Sequence, residues 1–245
     1  MDRLFLTIMA TIVASASCAS AADVSFPPPL AAPPYNWYGF YIGIHGGDAR
    51  AQNTFSQTPG YQGGAIRSLS GFGGGQIGIN NYLTEISWLL GIEADISGTS
   101  LVGSTTTTPG DGAEVGWAER LDTLGTLRGR LGYAVNNWLL YGTGGFAWSN
   151  SNFTRTQLIQ TQLSPLAGNV ESTSPTRLGW TAGVGVEWGF YGNWTAKLEY
   201  LHLNLIDETY NFNTVTVTGN MTPRWIDEGR LSIDMVRVGV NYLFR

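Results

Sequence analysis

From Trp37 to the end of the chain, apolar and polar positions alternate with a period of two. Tyr38, Phe40, Ile42 and Ile44 share one face of the first segment, and Gly39, Tyr41, Gly43 and His45 share the other. Between Ser87 and Ile96, the residues Trp88, Leu90, Ile92, Ala94 and Ile96 stand opposite Glu93 and Asp95. Leu127, Leu131 and Tyr133 oppose Arg128, Arg130 and Gly132, and Leu178, Trp180, Ala182, Val184, Val186 and Trp188 oppose Arg177, Thr181 and Glu187. Trp194, Ala196, Leu198 and Tyr200 face away from Lys197 and Glu199, as Val236, Val238, Val240, Tyr242 and Phe244 do from Arg237 and Asn241. Strict alternation of this kind predicts half-buried strands of about ten residues and no helix. Two less regular segments, Leu69 to Tyr82 and Trp138 to Asn150, bring the count to eight.

The connections between these segments are of two kinds, and they alternate. Asn80-Asn81, Asn136-Asn137 and Gly192-Asn193 carry the chemistry of tight turns. Ala51 to Ser68, Gly98 to Glu119, Ser151 to Thr176 and Ile206 to Gly229 are long and rich in Ser, Thr, Asn, Gln and Gly. Long loops at one end and short turns at the other are the signature of an outer-membrane barrel. The fold expected is therefore all-β: an eight-stranded antiparallel transmembrane β-barrel with long extracellular loops and short periplasmic turns.

Which face meets lipid follows from the side chains. Most strand glycines share a face with the charges, as the crowded interior of an eight-strand barrel requires. Trp37, Trp88, Trp138, Trp188 and Trp194 stand at the turn end and Trp117, Trp148 and Trp180 near the loop end, two girdles at the heights of bilayer interfaces. Placing Arg128 and Arg130 in lipid would cost roughly 2–4 kcal/mol each near the midplane. The charges belong in the lumen. There Glu93, Asp95, Glu187 and Glu199 balance Arg128, Arg130, Lys197 and Arg237, and a structural ion-pair network is expected of them.

The N-terminus and the composition agree. Met1-Asp-Arg3, the apolar run Leu4 to Val13, and the small residues up to Ala22, with Ala19-Ser20-Ala21 as the cleavage motif, read as a secretory signal. The expected organisation is a cleaved signal over 1–21, a Pro-rich periplasmic tether over 22–36, and the barrel over 37–245. Cys18 lacks the Leu three positions upstream that a lipoprotein signal needs, and cleavage removes this one cysteine. Charged residues make up 13% of the 245, about half the usual share of a soluble globular protein. A net charge of -5 argues against nucleic-acid binding. A mean hydropathy of -0.02 does not fit a helical membrane protein.

The motifs Gly91-Ile-Glu-Ala-Asp95, Thr126-Leu-Arg-Gly-Arg-Leu-Gly-Tyr133, Leu139-Leu-Tyr-Gly-Thr-Gly-Gly145, Gly179-Trp-Thr-Ala-Gly-Val-Gly-Val-Glu187, Asn193-Trp-Thr-Ala-Lys-Leu-Glu-Tyr200 and Val236-Arg-Val-Gly-Val-Asn-Tyr242 resemble those of the small outer-membrane immunogenic proteins of alpha-proteobacteria. These are porin-family eight-strand barrels similar to the OmpA transmembrane domain. The resemblance runs from about Asn36 to Phe244, in order. It implies residence in the bacterial outer membrane, surface exposure and a part in envelope maintenance; some relatives are described as haem binders. The family ends on an aromatic residue, whereas here Arg245 follows Phe244.

Little catalytic chemistry is legible. Gly73-Gly-Gly75-Gln-Ile-Gly78 has the spacing of a dinucleotide loop, but strand rather than helix follows it. His45 is expected as a packed lumen imidazole; His202 is expected at the solvated rim, within reach of Asp207 or Glu208. No G-x-S-x-G elbow occurs, and neither an enzyme nor a cofactor or metal site is expected. Arg237-x-Gly239-x-x-Tyr242-x-Phe244 resembles the recognition signal of the outer-membrane insertion machinery. The expected partners are that machinery, outer-membrane lipid and lipopolysaccharide, with no nucleic acid and a monomeric state. The expected function is structural: envelope integrity and display of surface loops. A narrow porin for small solutes is the second reading, and an adhesin or ligand binder through the loops, haem included, is the third.

Overall fold

The computed structural model describes residues 35–58, 62–83, 87–108, 114–159, 167–174, 176–206, 208–215 and 221–245, so the signal and most of the tether lie outside the described residues. The strands are β1 (Gly39–Thr58), β2 (Gln62–Tyr82), β3 (Trp88–Thr107), β4 (Glu114–Val135), β5 (Trp138–Ile159), β6 (Val170–Thr173), β7 (Thr176–Tyr191), β8 (Trp194–Leu205), β9 (Glu208–Val215) and β10 (Met221–Phe244). Every pairing is antiparallel, the order is β1-β2-β3-β4-β5-β7-β8-β10, and β1 with β10 closes the sheet. β6 and β7 pair successive stretches of β5, and β8 and β9 pair successive stretches of β10. Each pair thus acts as a single interrupted stave, which gives a closed barrel of eight. Closure pairs the wall on both sides where the solvent offers no hydrogen bonds, and only the short β6 and β9, at the loop end, pair on one side alone.

The alternation sorts as a membrane wall demands. Ile44 faces outward at 71% exposure while Glu93, on the inside, is at 2%. Apolar side chains outside and charges inside invert the order of a soluble barrel. In water, such a belt would far exceed the few hundred Å² of contiguous apolar surface that monomers tolerate.

The structure corrects the sequence reading in three places. The long polar connections are largely ladder: β1 runs to Thr58, β2 starts at Gln62, and β3, β4 and β5 are 20–22 residues long. The alternation persists there because every second residue, including Phe55, Ile66, Leu101, Trp117 and Phe153, still points into the barrel. Secondly, Asn80-Asn81 is not a turn. Both residues lie in β2, Asn80 is buried, and the connection to β3 follows Tyr82. Asn136-Asn137 and Gly192-Asn193 do join β4 to β5 and β7 to β8, with Asn136 and Gly192 at positive φ. Thirdly, Trp37 and Trp117 are inside the barrel rather than in the girdles, at 0% and 1% exposure. Tyr38 and Phe40 face outward, so strand parity turns Trp37 inward.

Candidate functional site

Side chains fill the lumen in layers. At the turn end, Trp37, Leu89, Leu139 and Tyr141 form a floor, with Tyr35 and Tyr82 packed against it. Gly189 carries the ring of Tyr35, which lies 2.4 Å from where a Cβ would stand, and the Arg245 guanidinium covers that ring at 4.4 Å. The residue that follows the terminal aromatic therefore ties the pre-barrel segment across the mouth.

Above the floor lies the ionic layer. Its pairs are set by register, with Glu93 opposite Arg128, Glu187 opposite Lys197 and Glu199 opposite Arg237. Longer reaches across the lumen join these pairs. Glu93 accepts from Arg128, from Lys197 at 2.9 Å, from Arg237 at 3.1 Å and from the Tyr41 hydroxyl at 2.7 Å. Arg128 donates to Asp95 at 2.9 Å and to Glu199 at 3.1 Å, and Tyr141 donates to Glu199 at 3.0 Å. Arg130 donates to Glu187 at 2.7 Å with its guanidinium 4.0 Å from the Tyr141 ring centre. Glu93, Asp95, Arg128, Arg130, Glu187, Lys197, Glu199 and Arg237 are all buried and all belong to this network. Four carboxylates meet four cations, so the layer is formally neutral.

Sequence reasoning placed His45 and Asn241 on the inward face but did not find Gln76 and Ser97, which join them to this layer. Gln76 bridges Asn241 at 2.5 Å and His45 at 3.0 Å, and the other His45 nitrogen meets Ser97 at 2.8 Å. Their signal was parity alone, since Gln76 and Asn241 share the inward face with Gly74 and Gly239.

Further from the floor the lumen turns apolar, with Phe72, Leu101, Leu121, Leu203, Leu231 and Ile233 among a larger cluster. Beyond that cluster, Asn53 donates to Glu119 at 2.8 Å and Arg177 stands 3.6 Å from the same carboxylate. Burial raises the Glu119 carboxyl above its usual range, against the pull of Arg177 and Asn53. A last cluster, Phe55, Ile66, Val115, Trp117 and Phe153, fills the barrel at its loop end.

On the outer wall, Trp88, Trp138, Trp188 and Trp194 face outward near the turn end and Trp180 near the loop end, while Trp148 lies flat over Gly125. Tyr242 packs against Trp194 and Phe244, whose ring centres are 5.1 and 5.0 Å away, and Phe244 stands 5.8 Å from Phe40 across the closing seam. Arg237 and Gly239 of the same C-terminal motif face inward. His202 faces outward and meets Asp234 at 2.8 Å, not Asp207 or Glu208, whose side chains lie outside the described residues. Among the described residues no group of three metal-ligating side chains occurs.

Known proteins resemble the chain along its whole length. The 31 kDa outer-membrane immunogenic protein of Brucella melitensis is 33% identical over 259 residues, covering 100% of both chains. The 22 kDa outer membrane protein of Rhizobium leguminosarum is 27% identical over 74% of this chain and 71% of its own. Among solved structures, the outer membrane protein OprG of Pseudomonas aeruginosa aligns with a TM-score of 0.46 at 13% identity, over 84% of this chain and 97% of that one. The family described as outer membrane protein beta-barrel domain matches residues 9–244, and the chain is a member of that family, resident in the outer membrane.

Proposed function

We propose that this protein is a structural barrel of the outer membrane, one that seals and stiffens the envelope rather than conducting solute. The observation that carries the reading is the neutral ionic layer of mutually paired charges, which lies between two apolar clusters of the described lumen. Eight strands enclose an interior just wide enough for side chains to fill. Opposite charges that meet one another inside satisfy desolvated groups, whereas a conducting pore would line a water path with them. The strand extension beyond the girdles then serves as the surface display. Residues 1–21 act as the export signal and 22–36 as the tether. Arg237, Gly239, Tyr242 and Phe244 address the chain to the insertion machinery, and lipid and lipopolysaccharide surround the wall.

Single-channel recording on the purified protein in a planar bilayer tests this. The expected result is no steady conductance, together with increased dye entry into cells from which the gene is deleted. A large stable conductance in the wild type would overturn the reading in favour of the porin alternative.

A further inference from the structure

On the outer wall of β8 and β10 the apolar belt ends at one level of the ladder. The outward positions of β10 run Val240, Val238 and Val236, then Asp234 and Ser232; those of β8 run Leu198 and Tyr200, then His202 and Asn204. His202 stands opposite Asp234, and Asn204 opposite Ser232. Two donors meet on one oxygen of Asp234, the Tyr200 hydroxyl at 2.7 Å and His202 Nδ1 at 2.8 Å. A carboxylate only accepts, so in the neutral ring Nδ1 carries the proton and Nε2 keeps its lone pair. Trp180 flanks the imidazole with ring centres 5.6 Å apart, and the residue in register with His202 on β7 is the small, exposed Ala182. An exposed pair of this kind contributes only about 0–1 kcal/mol to stability, whereas an imidazole fixed through Nδ1 by a carboxylate is the arrangement of a general base.

The hydroxyl that such a base serves is that of Ser232. It lies one pleat beyond Asp234 on the same face and diagonal to His202. Diagonal Cβ atoms on one face of an antiparallel pair are about 7 Å apart or less, within reach of an aromatic side chain. Asn204, directly across from Ser232 with Cβ atoms about 5 Å apart, brings an amide donor beside the attacked group. No local motif announces the set, because its members come from two strands and only register brings them together. Depth selects the substrate. Below these residues the wall is apolar and meets acyl chains; they stand where the chains end and the ester linkages of a lipid begin.

We propose that Ser232, His202, Asp234 and Asn204 form a hydrolytic site on the outer wall, which cleaves acyl esters of envelope lipids. Ser232 Oγ attacks the ester carbonyl carbon while His202 Nε2 takes its proton, and the Asn204 amide donates to the carbonyl oxygen. The bond from the acyl carbon to the lipid oxygen breaks, and the alcohol leaves with the proton from Nε2. Water then gives a proton to Nε2 and its hydroxide to the acyl carbon. The bond to Oγ breaks, Ser232 regains the proton, and a carboxylic acid departs. Asp234 and Tyr200 are positioning residues, since they touch the base and not the substrate. The site lies outside the lumen, so it goes beyond the sealing role and does not depend on it.

The test uses the refolded full chain in detergent, with a biotinylated fluorophosphonate as covalent probe and phosphatidylglycerol in mixed micelles as ester. The expected results are a label on Ser232, located by peptide mass spectrometry, and release of fatty acid. S232A should abolish both. H202Q should slow both at least about 100-fold, the lower end of what general base catalysis supplies, and added imidazole should restore part of the labelling rate. D234N should lower kcat at least about tenfold with KM unchanged, as loss of a positioning group does and loss of a substrate contact does not. Heat-dependent gel mobility confirms that each variant is folded. A label on another residue, a labelling rate unchanged in H202Q, or folded wild type that neither labels nor releases fatty acid each overturns the site. None of these outcomes alters bilayer conductance, so the sealing role stands or falls by its own measurement.

Discussion

Glu93 is the residue on which the lumen converges: four donors reach it, three of them cations, and a fourth cation, Arg130, lies at 3.7 Å. Replacing it by Gln leaves Arg128, Lys197 and Arg237 buried with one negative charge fewer. Removing one partner from a buried ionic group costs about 3–5 kcal/mol, far more than the intact pair contributes over an apolar substitute. E93Q should therefore lower the unfolding free energy of the refolded barrel, read from urea titration, by that amount, and an unchanged free energy would show the network to be dispensable. Glycines offer a sharper contrast at the same scale. G74A drives a methyl group into the Ile96 carbonyl and the His45 ring, while G73A, on the neighbouring position, adds one in ordinary van der Waals contact, 3.7 Å from the His45 carbonyl oxygen. The first should destabilise by more than 1 kcal/mol and the second should stay within about 0.5 kcal/mol, measured by the same unfolding curves. The eight lumen charges were legible at this scale because each strand presents its charges on a single parity. Trp37 and Trp117 were misplaced because their position near a strand end outweighed parity, although Tyr38 and Phe40 already fixed the inward direction for Trp37.

At the scale of elements, the eight staves were legible and their lengths were not. A membrane-spanning strand needs only about ten residues, so the polar stretches beyond the girdles read as loops. What keeps them paired is the inward apolar row, together with the Thr- and Ser-rich outer face. That face suits a pleated surface in water and carries no hydrophobic signal. The C-terminal stave has its own test. Tyr242 and Phe244 face lipid, where Leu would serve equally well, so aromatic identity is not explained by solvation alone. F244L should leave refolding into detergent micelles and stability within about 1.5 kcal/mol of wild type. In cells it should slow insertion and accumulate unfolded periplasmic protein, as followed by pulse-chase and heat-dependent mobility. Wild-type insertion kinetics for F244L would reduce Phe244 to a girdle residue and remove the signal role proposed for the motif.

For the whole molecule, the layers act in series, and that arrangement makes a specific claim about permeability. Solute entering from the turn end would meet the aromatic floor of Trp37 and Leu139, then the ionic layer, then the apolar cluster around Leu203 and Ile233. Resistances in series add, so the flux is governed by whichever barrier remains. W37A removes the largest side chain of the floor but leaves the salt bridges of Arg128, Arg130 and Arg237 and the apolar layer above them in place. It should cost roughly 3–5 kcal/mol of stability, as large-to-small changes of buried tryptophan do, and still give no steady conductance. An apolar constriction resists hydrated ions by excluding water, so loss of a polar or aromatic barrier beneath it does not open the path. The expectation is specific to a sealed barrel: in a gated pore, where the floor alone closes the lumen, W37A would open a stable channel. Planar-bilayer recording of W37A, on protein first shown to be folded by its gel mobility, separates these outcomes. A steady open level in that variant would mean that the ionic and apolar layers leave room for solute, and that the pre-barrel segment is a stopper rather than one seal among three.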